Sequence, residues 1–253
     1  MSRALAFALL PVVLVQGRRL RRTIPRLPPA AQPWFGGDSA PSALQLLVVG
    51  DSTAVGAGVA TTSDALVGKL VRRIQTAGGR GRTLGWRVVG SNGSTSAQVL
   101  EKHRDEVVSE ATDIAVVLVG WNDVLRLRSG AAFGRDLSAL LQLLVDNNPG
   151  IQCAVVAPPL FGKFTVLPQP LRFALGRHAR GLTRVARKVA RAHGAVLAPG
   201  FDGRAVASDG FHPDETGYDK IADGVMMALS HSGTVIGSAV DGSGGGDHWL
   251  PSP

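Results

Sequence analysis

The chain has 253 residues, 45% of them hydrophobic, which is enough for one substantial core and excludes a disordered or fibrous protein. A single cysteine, Cys153, excludes an intrachain disulfide, and its place inside the apolar run 151–157 points to packing rather than thiol chemistry. The net charge of +8 is uneven: residues 1–43 contribute +5 and the tail from residue 233 contributes −2, so much of the excess belongs to appendages.

In chain order, residues 1–24 join an apolar run, Ala4–Val15, to Arg18, Arg19, Arg21 and Arg22. The run is shorter than the roughly 18 apolar residues a membrane span needs. It has the length of a signal peptide but lacks a small-residue cleavage site. Two readings stand: an uncleaved helix associated with a membrane, or a helix docked on the domain's own apolar surface. In the first, the arginines favour the cytoplasmic side for the chain that follows; export is the alternative. Residues 25–43, rich in proline and glycine, read as a linker.

A βα alternation begins at Leu44. The runs 44–49, 86–89, 114–119, 151–157 and 195–198 read as strands, the longer ones apolar throughout, as strands buried on both faces are. Helices are expected over 64–77, 97–108, 133–145, 171–192 and 215–230, with apolar residues at helical spacing. Such alternation implies a parallel sheet with helices on both faces. The folded domain is therefore placed at 44–232, and the Gly/Ser-rich stretch 233–253 reads as a disordered tail.

In open parallel sheets the active site lies beyond the carboxyl ends of the strands. Four segments fall there: Gly50-Asp51-Ser52, Gly90-Ser91-Asn92-Gly93-Ser94, Gly120-Trp121-Asn122-Asp123, and Asp209-Gly210-Phe211-His212-Pro213. One rim thus collects a serine, glycine amides, an asparagine amide, a carboxylate and an imidazole, the parts of acyl transfer. A serine hydroxyl is a weak nucleophile, so His212 is needed to take its proton; Asp209, three residues upstream, is placed to fix the imidazole tautomer. Ser52 N–H, Gly93 N–H and the Asn122 amide follow neighbouring strands and are candidate oxyanion donors, with Gly90 a rival to Gly93.

These four segments resemble the sequence blocks of the SGNH hydrolases, also called the GDSL lipase/esterase family, over about residues 44–230. The resemblance implies a three-layer α/β/α flavodoxin-like fold with a five-stranded parallel sheet of order 2-1-3-4-5. It implies ester hydrolysis without metal or cofactor. It also implies a catalytic triad of Ser52, Asp209 and His212 and an oxyanion hole of Ser52, Gly93 and Asn122.

Around that site the sequence is less specific. Trp121 stands beside Asn122 and is expected to narrow the pocket. The loop 158–170 carries Phe161 and Phe164, which either wall an apolar acyl pocket or cap the core. Arg177, Arg180, Arg184, Arg187 and Arg191 form one helical stripe, either a solvated face or a contact for an anionic surface or substrate. The other histidines show no metal-ligand spacing. Nucleic acid is not an expected partner, because basic residues are not interleaved with aromatics and the chain has one tyrosine. The expected substrate is a small-molecule or lipid ester. A carbohydrate O-deacetylase or an acyltransferase would use the same triad, and a non-catalytic flavodoxin-like binding module is the reading from another class.

Overall fold

The computed structural model describes residues 3–23, 25–40, 42–77 and 83–231. The tail beyond residue 231, read above as disordered, lies outside the described residues.

The elements are α1 (Arg3–Thr23), β1 (Phe35–Gly37), β2 (Leu44–Gly50), α2 (Leu66–Ala77), β3 (Leu84–Gly90), α3 (Ser96–Val108) and β4 (Ile114–Leu118). Then follow α4 (Trp121–Leu125), α5 (Gly130–Asn147), β5 (Gln152–Val156), a 3-10 turn at Phe161–Lys163, α6 (Leu171–Ala192), β6 (Val196–Ala198) and α7 (Glu215–Ser230). The sheet order is β1-β3-β2-β4-β5-β6. Its five parallel strands, numbered among themselves, run 2-1-3-4-5 as expected.

The sheet has six strands, not five. β1 adds to the edge antiparallel to β3, with Phe35 opposite Arg87 and Gly37 opposite Gly85. The linker assigned to residues 25–43 is thus part of the domain. Ala30 N–H and Ala31 N–H also donate to the carbonyls of Val55 and Ala60, both at 2.9 Å.

Beyond Gln45 and Gln152 near their starts, β2, β4 and β5 are apolar on both faces because helices cover both. α2 and α7 pair on one face, tied by Lys69 to Asp219 at 2.9 Å and by Arg73 to Asp223 at 2.8 Å. α3, α5 and α6 pack side by side on the other. Local chemistry sets the helix starts: Thr95 and Gln98 form a capping box on α3, Ser129 caps α5 and Asp214 caps α7. α6 borrows its cap. Its first residue, Leu171, donates N–H to Gln16 Oε1 at 3.1 Å, while Gln16 Nε2 donates to Gln169 O at 2.8 Å. α1 is therefore docked on the domain at the start of α6, with Val13 and Leu20 half-buried against it. Cys153 is buried, and burial pushes its thiol up to about 12, consistent with a packing role.

Candidate active site

Ser52 lies in the turn that follows β2, closed by Asp51 N–H on Leu118 O at 3.0 Å and Ala57 N–H on Ser52 O at 2.9 Å. His212 comes from the far end of the chain, on the excursion between β6 and α7. That excursion folds on itself through Ala207 N–H on His212 O at 2.8 Å and Asp214 N–H on Ala205 O at 3.1 Å. It meets the Ser52 turn at Gly58, whose left-handed φ of +108° lets its α-carbon approach Pro213; a β-carbon there would fall 2.3 Å from Pro213 O.

The result is a continuous hydrogen-bonded chain. His212 Nε2 stands 3.0 Å from Ser52 Oγ, and His212 Nδ1 stands 2.6 Å from Asp209 Oδ2. A carboxylate only accepts, so Nδ1 carries the proton and Nε2 presents its lone pair to Ser52. Burial pushes the Asp209 carboxyl up, but donors from the His212 ring and the N–H groups of Phe211 and His212 outweigh it. Asp209 is held below the ordinary carboxylate range and stays charged beside the imidazole. The Trp121 ring lies parallel to the His212 ring, centroids 5.7 Å apart and planes 9° apart, which fixes the imidazole from its other side.

β3 and β4 flank β2, so the loops after them border Ser52. Asn122 stands on the first turn of α4 and donates from Nδ2 to Ser94 O at 3.1 Å. Its neighbour Asp123 is buried and accepts from Ser96 N–H at 3.0 Å, Ser96 Oγ at 2.8 Å and Arg128 Nη1 at 3.2 Å, which locks α4 to the start of α3. Of the two glycines considered after β3, Gly90 is within the strand, in register with Gly50. Gly93 is in the loop, at φ +75°, with nothing within 4 Å of where a β-carbon would be. Among the described residues the N–H groups of Ser52 and Gly93 have no acceptor in the protein.

Sequence reasoning missed the brace behind that loop. Arg126 Nη2 donates to Gly93 O at 3.0 Å. Ser91 Oγ lies 2.8 Å from Ser94 Oγ and 3.0 Å from His103 Nε2, while His103 Nδ1 pairs with Glu106 at 3.1 Å. His103, which spacing gave no role, anchors the loop to α3. Asp51 is also new. It is fully buried against the site and burial pushes its carboxyl up to about 7, although Thr53 N–H and the nearby His212 pull the other way.

The substrate-binding assignment needs correction. Phe161 and Phe164 are 0% and 1% exposed. They pack with Trp121, Phe201 and Phe211 in one aromatic cluster, ring centroids 5.3–6.3 Å from Trp121. Side chains that deep cap the core and hold Trp121; they do not wall an open pocket. Trp121 is itself buried, with its ring stacked on His212.

A doubly wound sheet with a serine, an imidazole and a carboxylate in one hydrogen-bonded chain at its carboxyl rim defines the serine-nucleophile class of site. Comparison with known proteins is consistent with it. Residues 48–220 match the model of the GDSL-like lipase/acylhydrolase family, and the chain belongs to that family. It is 31% identical over 205 residues to the GDSL-like esterase Rv1075c of Mycobacterium tuberculosis (strain ATCC 25618 / H37Rv), an alignment covering 75% of this chain and 62% of that relative. Among solved structures, TesA shares 24% identity at a TM-score of 0.61, covering 74% of this chain and 99% of TesA. The lipase/acylhydrolase of Enterococcus faecalis shares 23% at 0.58, covering 75% and 96%. These last two likenesses establish the fold.

Proposed function

We propose that the protein hydrolyses carboxylic esters through an acyl-enzyme on Ser52. The observation that carries this reading is the Ser52–His212–Asp209 chain, at 3.0 and 2.6 Å. His212 Nε2 takes the Ser52 proton as Oγ adds to the ester carbonyl. The oxyanion that forms is held by the unengaged N–H groups of Ser52 and Gly93 and by the Asn122 amide. His212, stabilised as imidazolium by Asp209, returns the proton to the departing alkoxide. Water then enters by the same route and releases the acid, regenerating Ser52.

The substrate we infer is an apolar ester. With Phe161 and Phe164 buried, the support moves to the rim, where Val166 is 43% exposed beside Gly210 of the His212 loop. A fluorophosphonate probe tests the chemistry: it labels the native protein, and Ser52→Ala abolishes labelling and ester turnover with the fold intact, at a cost of several orders of magnitude in kcat. Labelling of the alanine variant at another serine overturns the assignment. A series of aryl esters of rising acyl length then reads the substrate. Activity confined to acetate favours the O-deacetylase reading instead.

A further inference from the structure

The two elements that meet at Gln16 and Leu171 share an unusual composition. α1 carries five arginines and no acidic residue, and residues 157–192 carry eight lysines and arginines and no acidic residue. The face of α1 turned away from Gln16 exposes Leu14, with Val15 63% exposed, and further along it Arg18 and Arg22. One turn into α6, Phe173 is 45% exposed, followed on the same helix by exposed Arg177 and Arg180. Val166 and exposed Lys163 extend the surface to the His212 loop. α6 begins at the carboxyl end of the sheet, so this surface borders the mouth of the site. Isolated exposed apolar residues need no explanation; a set interleaved with cations and free of acidic residues does.

We propose that this rim is a docking surface for an anionic lipid bilayer. Leu14, Val15, Phe173 and Val166 would enter the acyl–headgroup boundary, while the arginines meet lipid phosphates. No described helix is long and apolar enough to span a membrane, so the contact is with the surface. Apolar side chains among the cations favour lipid over nucleic acid, which stacking aromatics would serve. Delivery of a membrane ester to Ser52 rests on the hydrolase reading; binding to the bilayer does not.

Flotation of the full chain tests it, with phosphatidylcholine vesicles with or without phosphatidylglycerol. The protein floats with the anionic vesicles, less at high salt, and stays down with neutral ones. R177Q/R180Q, both exposed, lowers the bound fraction roughly tenfold or more, and Val15→Asp does so independently; both variants keep the native melting curve and fluorophosphonate labelling. A full chain that stays down with anionic vesicles overturns the proposal. So does flotation unchanged in both variants, or self-association or RNA binding without flotation. A native full chain that floats but takes no fluorophosphonate label would count against the hydrolase reading alone.

Discussion

At Asn122 two demands meet on one amide. One N–H of Nδ2 is held by Ser94 O, which leaves the other for the oxyanion. The first bond fixes the second in direction before substrate arrives, and that preorganisation is what makes such donors effective. Asn122→Ala should therefore lower kcat by roughly 10²–10³ with KM little changed; a rise in KM alone would make Asn122 a ground-state contact. Asp51 makes a different prediction, in stability. Its carboxyl titrates at 3.8 in the unfolded chain and at about 7 in the fold. Between those values the native state binds the extra proton, so Asp51 adds stability below about pH 4 that is lost as pH rises through 7. Asp209, held low, works the other way, adding stability at neutral pH that is lost on acidification. Asp51→Asn keeps the shape and the acceptor for Thr53 N–H. Its melting temperature should match the native protein at pH 4 and exceed it by pH 8, at roughly 2–4 °C per kcal/mol for a chain of this size. Parallel pH curves for the two proteins would refute the assignment. The reacting residues were legible in the sequence because chemistry demands their types at strand ends. Arg126 and His103 were not, since an exposed arginine and a helical histidine look the same whether or not they brace a loop.

Among elements, β2, β4 and β5 were legible because burial on both faces leaves them apolar but for Gln45 and Gln152 near their starts. β1 was not: Phe35-Gly36-Gly37 is three residues long, lies at an edge, and has the composition of a loop. α4 is a single turn and too short for helical periodicity to register. The aromatics of the 3-10 turn after β5 failed for another reason, since hydrophobicity marks a side chain that avoids water without saying whether protein or substrate covers it. The junction between the Ser52 turn and the His212 excursion is the contact on which the triad depends. Gly58→Ala would place a methyl 2.3 Å from Pro213 O at a φ of +108°. It should cost about 2 kcal/mol or more in stability and lower kcat beyond that loss, because His212 moves with Pro213. Circular-dichroism melts beside active-site titration separate the two effects. A variant with native stability and native kcat would show that the two turns are not coupled there.

For the whole molecule, the question is where the folded domain begins. The stretch from residue 25 to residue 40 runs as a strap over one edge of the sheet and touches two of the segments that form the site. Leu27 O accepts from Asn92 Nδ2 at 3.0 Å, next to Gly93. Ala30 and Ala31 bond to Val55 and Ala60, in the segment that carries Gly56 and Gly58. Trp34 O accepts from Val88 N–H at 2.7 Å, Asp38 N–H donates to Leu84 O at 3.1 Å, and β1 pairs with β3 between them. Each such bond contributes about 0.5–1.5 kcal/mol, so the strap as a whole is comparable with much of the 5–15 kcal/mol by which domains are stable. Removing it would also bare β3 as an unprotected edge, open to pairing with other chains. Deleting residues 1–24 takes away α1, the Gln16 cap on α6 and the half-buried packing of Val13 and Leu20. That truncation should melt within several degrees of the full chain, by the loss of about one helix cap and of two half-buried apolar side chains, and keep its turnover of a small soluble ester. Deleting residues 1–40 should instead lower the melting temperature steeply, promote aggregation, and reduce fluorophosphonate labelling, because the loops bearing Gly93 and Gly58 lose their support. The two truncations measured side by side make the comparison. Equal melting and equal labelling would mean that the strap lies on the domain without holding it, and that the folded unit starts at Leu44.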